Sequence, residues 1–188
     1  MRLRRAAIVL MGMAALAPVR AAEAETGPLA VKEGYLVNFV RRWYLPLGGK
    51  WTAPPGGDAD LQSLPHASLR GVTMNILCVP GGGTGFDLAA TMNALRETAK
   101  EERGTSVLAE SRKHIGWKEA GELLTLREGR GPGTETRLVR TIAFAKGADK
   151  YYVRLDTPPA AFEEASRDFD AAVSGLKFEF KMFSAPAE

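Results

Sequence analysis

The chain has 188 residues, of which 45% are hydrophobic and 25% charged, a composition typical of one globular domain and unlike that of disordered or fibrous chains. Its formal net charge is +3, from 25 Lys and Arg against 22 Asp and Glu. The sequence contains a single Cys, which excludes an intramolecular disulfide, so the fold must be held by its core.

The first 24 residues have the features of a secretory signal peptide. Three arginines among the first five residues form a positive n-region, and residues 6–17 are apolar. As a helix this apolar segment would rise about 18 Å, too short for the roughly 30 Å hydrocarbon core of a bilayer. A proline and small residues follow, and we predict cleavage after Ala21, with Ala24 as the second choice. Residues 1–21 are therefore expected to be removed, which makes the mature protein periplasmic or secreted.

Cleavage changes the charge argument. The removed segment carries four arginines, which leaves 21 basic and 22 acidic side chains and a net charge of −1. Because the basic excess belongs to the leader, we predict no nucleic-acid partner for the mature chain. A lipid anchor would need a Cys directly after the leader, whereas the single Cys is Cys78. We expect no membrane anchor after cleavage, and Cys78, within an apolar run, is predicted to be a small buried hydrophobe.

The N-terminal part of the mature chain is predicted to contain a lead-in, two strands and a loop. Residues 22–30 are expected to be flexible, and a single domain is predicted over residues 31–184. Residues 34–44 and 48–51 are strand candidates rich in aromatic rings. Residues 53–65, APPGGDADLQSLP, contain three Pro and two Gly and are predicted to be a surface loop.

The middle of the chain is predicted to be a strand, a helix and then a run of antiparallel strands. The helix, residues 87–102, has one apolar stripe formed by Leu88, Met92, Leu95 and Ala99. The strand candidates on either side of it are residues 68–79, 106–111, 115–127, 134–146 and 150–155.

A second helix and a final strand are predicted at the C-terminus. Thr157 is a plausible N-cap, two prolines suit the first turn, and Gly175 is expected to close the helix in the left-handed conformation. Residues 176–182 alternate apolar and charged side chains, as in a strand with one buried face. The element order predicts an α+β fold, with an antiparallel β-sheet and helices packed on its faces.

Two segments resemble a known family. Residues 141–178, TIAFAKGADKYYVRLDTPPAAFEEASRDFDAAVSGLKF, resemble the end of PsbP-like and DUF1795-type bacterial domains, and residues 114–126, HIGWKEAGELLTL, are similar to the glycine-containing hairpin of that family. The resemblance covers roughly residues 68–180. It implies an α/β/α sandwich around an antiparallel sheet, and family members act mainly as accessory, scaffold or protein-binding domains.

No catalytic or metal site is predicted. The glycine loop at residues 79–87, VPGGGTGFD, follows a strand and precedes a helix but lacks the Lys and Ser/Thr of a P-loop, so we interpret it as a connector. His66 and His114 have no ligand-type residue at i+2 to i+4, and Asp58 and Asp60 are the only nearby acidic side chains. Both histidines are expected at the surface or in turns. We predict no cofactor.

One segment concentrates aromatic rings and cations. It comprises Phe39, Arg41, Arg42, Trp43, Tyr44 and Trp51. Exposed rings of this kind would form a patch that anchors a protein partner or a sugar, and we take these residues as the candidate binding patch. The alternative, favoured by the number of rings a sandwich must bury, is that they belong to the core.

The sequence thus predicts an exported, non-enzymatic accessory or binding protein that interacts with another protein or an envelope component. One alternative is a small periplasmic hydrolase or metal-dependent enzyme centred on His66 or His114. Another is an inhibitor or chaperone of an exported effector.

Overall fold

A computed structural model describes residues 28–54, 57–131 and 133–178. The predicted signal peptide, both predicted cleavage sites and the last residues of the predicted domain lie outside the described residues. Within the described residues, nine strands and two helices follow one another in chain order, with a 3₁₀ turn at Pro159–Ala161 before the second helix. They are β1 (Leu29–Lys32), β2 (Tyr35–Asn38), β3 (Trp43–Pro46), β4 (Leu61–Pro65), β5 (Thr73–Val79), α1 (Leu88–Glu101), β6 (Thr105–Ile115), β7 (Lys118–Arg127), β8 (Arg137–Lys146), β9 (Asp149–Thr157) and α2 (Phe162–Ser174).

The strands form two antiparallel sheets. The smaller sheet has the order β1-β2-β3, and the larger has the order β4-β5-β9-β8-β7-β6. Helix α2 lies on one face of the larger sheet beside the smaller sheet, and α1 lies on the other face. The predicted α+β class, with helices on the faces of an antiparallel sheet, is therefore confirmed.

The main core lies between the larger sheet and α2. Ile76, Val153 and Ile142 are consecutive partners across β5, β9 and β8, so their side chains share one face. They pack with Phe169 of α2, and the smaller sheet adds Trp43 to the same cluster. Alternation along each strand places these apolar residues inward, as the period of two in the sequence predicts.

Helix α1 covers only the β6–β8 half of the opposite face. Its apolar stripe approaches β7 at Gly121, where a Cβ atom would come within 2.3 Å of Met92 Sδ. At the far edge, Arg96 pairs with Glu110 of β6 at 3.3 Å. The absence of a side chain at Gly121 is what allows the helix to lie this close to the sheet.

The prediction of a surface loop over residues 53–65 was wrong for its last five residues, which form strand β4. The described loop residues end at Asp60, and Leu61–Pro65 pairs with β5. Gln62 and Leu64 face inward, while the alternate residues are exposed. Pro65 is accepted because β4 is an edge strand, where a missing N–H costs no ladder bond.

The two N-terminal strand predictions were also wrong in detail. Residues 34–44 form parts of two strands separated by a turn, and β1 begins at Leu29, within the predicted lead-in. Residues 48–51 form a turn in which Gly48 and Gly49 have positive φ, and only Trp51 forms a bridge, with His66. Turn geometry of this kind depends on φ values that apolar patterning does not report.

The second helix begins later than predicted. Thr157 ends β9 with a buried side chain instead of acting as the N-cap, and α2 starts at Phe162. Gly175 has φ −86°, so it is not left-handed. A larger residue would not fit at position 175, because a Cβ atom there would lie 2.4 Å from Pro46 Cγ. After the helix, Lys177 forms a bridge with Tyr44 of β3, and the predicted last strand otherwise lies largely outside the described residues.

Candidate functional site

The structure buries most of the rings in the predicted binding patch. Trp43, Tyr44 and Trp51 are all less than 5% exposed, and Trp43 and Trp51 belong to the main core. Tyr44 packs edge-on to Tyr35 at 5.6 Å between ring centroids. These rings are therefore buried, as the core interpretation predicted, and a binding role for them stays a prediction.

The two arginines of the candidate binding patch have different environments. Arg41 Nε donates to Asp60 Oδ1 at 2.6 Å, and the Arg41 guanidinium also lies 3.7 Å from Asp149. The hydrogen bond to Asp60 raises the pKa of Arg41 above its ordinary value. Arg42 is exposed and Phe39 is half-buried, so these two residues form the solvent-facing part of the segment, whose binding role stays a prediction.

His66 is buried, contrary to the predicted surface position. Its Nδ1 accepts the backbone N–H groups of Ser68 and Leu69 at 3.2 and 3.0 Å. The ring proton therefore lies on Nε2, which donates to Asp168 Oδ2 at 3.0 Å. Asp168 of α2 is thus the partner of this histidine. The hydrogen bond between His66 and Asp168 joins the end of β4 to α2. Both ring nitrogens are bonded and the side chain is fully enclosed, so the ring is not accessible to a substrate.

His114, the other histidine in the chain, and Asp170 of α2 are not part of the His66–Asp168 pair. His114 is exposed on β6, opposite Glu119. Asp170 pairs with Arg140 of β8 at 2.8 Å, in a cluster that also contains Glu122. Among the residues that the structure describes, no group of three His, Cys, Asp or Glu side chains is arranged to hold a metal ion.

The glycine loop at residues 79–87 connects β5 to α1, as predicted. Asp87 Oδ1 accepts the N–H of Ala90 at 3.1 Å, so a carboxylate occupies the N-terminus of α1, where a phosphate would bind in a P-loop. Gly83 packs against the β8–β9 turn, with Asp149 O 2.7 Å from the position of a Cβ atom. The loop is thus shaped by its contacts with the turn and by the helix cap.

The part of the larger sheet that α1 leaves uncovered is an apolar surface. Leu61, Leu77 and Tyr152 are consecutive partners across β4, β5 and β9, so their side chains lie in one row on the α1 side. Leu61 is 52% and Leu77 38% exposed. We call this half of the sheet, together with Leu95 of α1, the open face.

The open face contains a cleft of about 430 Å³. It is lined by Leu61, Asn75, Leu77, Leu95, Thr141, Tyr152 and Arg154. Arg154 supplies a guanidinium at one side of the cleft and lies 3.4 Å from Asp156. The cleft has an apolar base and is bounded on one side by Leu95 of α1. Its polar side chains are those of Asn75, Thr141, Tyr152 and Arg154.

The sequence carries a signal for the open face that the patch interpretation missed. Strand β5 has apolar residues on both faces, because Leu77 and Val79 alternate with Met74, Ile76 and Cys78. Such a strand is expected to be covered on both sides. The helix that should cover the second side lies over β6–β8 instead, which only the tertiary structure shows.

No helix within the described residues is long and apolar enough to cross a bilayer. The described chain has a PsbP-like fold: an antiparallel sheet between a helix on one face and a helix with a small sheet on the other.

Comparisons with known proteins support the fold. No protein-family model matches the chain, and no curated protein is similar to it in sequence. The Ran-binding protein Mog1p of Saccharomyces cerevisiae matches with a TM-score of 0.54 at 7% identity, over 82% of this chain and 100% of that chain. LpqN of Mycobacterium tuberculosis, involved in cell envelope biogenesis, matches with a TM-score of 0.53 at 12% identity, over 72% of this chain and 82% of that chain.

A third structure belongs to the family that the sequence resembles. Cyanobacterial PsbP (CyanoP) from Synechocystis sp. PCC 6803 gives a TM-score of 0.50 at 11% identity, over 80% of this chain and 99% of that chain. The predicted resemblance to PsbP-like domains is confirmed at the level of the fold, and the DUF1795 assignment stays a prediction. At these identities the likeness shows the fold alone.

Proposed function

We propose that the mature protein is an exported, non-enzymatic binding domain that holds a protein partner of the cell envelope on the open face. The observation that carries the proposal is the row Leu61–Leu77–Tyr152, which leaves two leucines exposed beside a cleft in a domain with an otherwise well-formed core. Contiguous exposed apolar surface with a polar rim is typical of protein interaction sites.

The composition of the open face favours a protein partner. Tyr and Arg are enriched among the residues that contribute most to protein–protein binding, and Tyr152 and Arg154 flank the two leucines. The cleft is bounded by α1 on one side and opens toward Leu61 on the other, a shape that suits an apolar segment of another chain. A carboxylate on that segment would pair with Arg154.

The arrangement of the titratable groups also supports a binding role. His66 has a carboxylate partner, but its ring is enclosed and both of its nitrogens are bonded, so it has no free nitrogen to take a proton from a substrate. The location rests on the predicted signal peptide and on the likeness in fold to LpqN, a protein of cell envelope biogenesis.

The test is capture of partners by the exported protein. The full precursor with a C-terminal tag is expressed in its own host, crosslinked in the intact envelope and purified, and Leu77→Asp is compared with wild type. Leu108→Asp is the matched control, because Leu108 is a 51% exposed leucine on β6, away from the open face. Both variants place a charge at an exposed position, so both should fold.

We expect a defined envelope protein to be captured by wild type and Leu108→Asp, and its recovery to fall at least about tenfold in Leu77→Asp, a loss of about 1.4 kcal/mol. Equal recovery of the envelope protein by both variants, or an equal loss in both, would contradict the proposal. The absence of any specific protein in the wild-type sample would contradict it as well. The identity of the captured protein distinguishes a structural partner from an exported effector under inhibition or chaperoning.

A further inference from the structure

Strand β6 forms one edge of the larger sheet. It is the longest strand in the described chain, and it pairs only with β7, so none of the described strands bonds to its outer edge. The side chains of residues 108–112 are all exposed. The backbone N–H and C=O groups along such an edge are a template on which a strand of another chain can pair.

The β6 edge is regular beyond a bulge. The register with β7 shifts between Val107 and Ala109, and each residue from Ala109 onward has one partner on β7. The regular part begins with the sequence AESRK, residues 109–113. Glu110 and Arg112 are two residues apart and therefore point to the same face of the sheet. This is the face that carries α1, because Glu110 lies 3.3 Å from Arg96 of that helix.

The two charges make the β6 edge complementary to itself in one antiparallel register. When a second copy pairs with Ser111 opposite Ser111, Glu110 of each chain lies opposite Arg112 of the other, with Cβ atoms about 5 Å apart. A two-fold axis through Ser111 produces both pairs at once. Moving the axis by one residue sets Glu110 opposite Glu110, or Arg112 opposite Arg112, and like charges directly opposite each other are destabilising.

Each charge already has a partner within its own chain. Glu110 pairs with Arg96 of α1, and Arg112 pairs with Glu119 of β7 at 2.8 Å. The side chain of Arg112 is 71% exposed and that of Glu110 is 35% exposed, so a second copy can reach both. In the paired edges, the charges at positions 96, 110, 112 and 119 alternate in sign from one chain to the other. Each charge of this row therefore has opposite charges as its neighbours.

We infer that the mature protein forms a two-fold symmetric dimer in which the β6 edges of two copies pair antiparallel about Ser111. Backbone hydrogen bonds hold the two strands together. The pairs of Glu110 with Arg112 set the register, because exposed ion pairs contribute little free energy individually.

This pairing joins the larger sheets of the two copies into one continuous sheet. The two open faces lie at its opposite ends, because the open face is at the β4 edge and the dimer contact is at the β6 edge. A two-fold axis perpendicular to the sheet leaves both open faces on the same side. The inference goes beyond the proposed function and uses none of the open-face residues.

The test is sedimentation equilibrium of the purified exported protein over a wide range of concentration. Wild type should show an equilibrium between monomer and dimer. Arg112→Glu and Glu110→Arg each set like charges opposite each other, so each should weaken dimer formation at least about tenfold. Arg167→Glu is the matched control, because it makes the same charge change at an exposed position of α2 and should leave the equilibrium unchanged. Urea denaturation checks that each variant is folded.

A mixture of the two charge variants gives a sharper measurement. Arg112→Glu presents two carboxylates on the edge, and Glu110→Arg presents two guanidinium groups. The two variants are complementary to each other, so they should form a heterodimer when mixed although each alone stays largely monomeric. A change that merely damaged the fold would not be repaired by mixing.

A disulfide reports the register directly. Opposite residues of an antiparallel pair have Cα atoms roughly 4.5–5.5 Å apart, which a disulfide can span, so Ser111→Cys should form a cross-linked dimer on oxidation. Ala109→Cys is the matched control on the same strand, because it lies opposite Lys113 and its own copy is roughly 13 Å away along the strands. Cys78 is buried and should not contribute.

Three results would overturn the inference. They are a monomer at every concentration, equal dimer formation by wild type and the two charge variants, and the absence of a heterodimer in the mixture. Cross-linking of Ala109→Cys as fast as that of Ser111→Cys would overturn the register.

Two cross-controls separate this inference from the proposed function. Leu77→Asp should dimerise as wild type does, because Leu77 lies on the open face. Arg112→Glu should retain capture of the envelope partner, because Arg112 lies at the opposite edge of the sheet.

Discussion

His66 Nε2 lies 3.0 Å from Asp168 Oδ2, and this hydrogen bond joins the end of strand β4 to the middle of helix α2. The ring also packs edge-on to Trp51 at 5.0 Å between centroids, and Lys50 Nζ lies 3.6 Å from the same carboxylate oxygen. The pair therefore holds an edge strand, a turn and a helix together within the core.

Replacing Asp168 with Ala should destabilise the protein by about 1–3 kcal/mol, because His66 Nε2–H would be buried without an acceptor. The free energy of unfolding is measured by urea denaturation. Arg167→Ala is the control, since Arg167 is an exposed neighbour on α2 and its loss should change stability by less than about 0.5 kcal/mol. An Asp168→Ala protein as stable as the control would show that the hydrogen bond is not stabilising.

Replacing Gly121 with Ala should cost about 1–3 kcal/mol, because the new Cβ would lie 2.3 Å from Met92 Sδ and would push α1 away from β7. Met92→Ala removes the obstructing sulfur. In that background, Gly121→Ala should lose most of its effect, and a double-mutant cycle from urea denaturation gives the coupling. Equal costs in both backgrounds would mean that the helix does not rest on Gly121.

Cys78 should be unreactive in the folded protein and should make stability fall at alkaline pH. Burial, the main cause, raises the pKa of the Cys78 thiol, although a hydrogen bond with Tyr151 partly opposes the effect. The unfolded chain ionises at about pH 8.5, while the folded chain retains the proton, so stability is lost as pH rises above that value.

Two measurements check this. A thiol reagent at pH 8 should label the native protein only as fast as it unfolds. Between about pH 8 and pH 10, the stability of Cys78→Ala should fall less steeply than that of wild type. Rapid labelling of the native protein, or identical pH slopes, would contradict a buried and protonated thiol.

The fold class could be predicted from the sequence because it depends on local periodicity. Alternating residues predicted most of strands β5 to β9, and the apolar stripe of α1 matched its observed position within a residue or two at each end. The incorrect secondary-structure predictions lie at turns and at the edge strand β4. Leu61–Pro65 was assigned to a loop because its Pro/Gly neighbours dominate the composition, although its own residues alternate inward and outward.

The candidate site was less predictable, because exposure is decided by which elements cover which faces. The aromatic segment around Trp43 could form a surface patch or part of the core, and the packing of the smaller sheet beside α2 placed it in the core. Leu77 and Trp117 differ from that segment, because they have the apolar character of core residues but lie at the surface.

The amino-acid sequence alone determined the order of helices and strands from β5 to α2, the antiparallel α+β class and the charge balance of the chain, because each depends on near neighbours or on composition. Only the tertiary structure decided that His66 meets Asp168 and that α1 covers half of one sheet face. These relationships join residues far apart in the chain, and their geometry follows from how the helices and sheets pack.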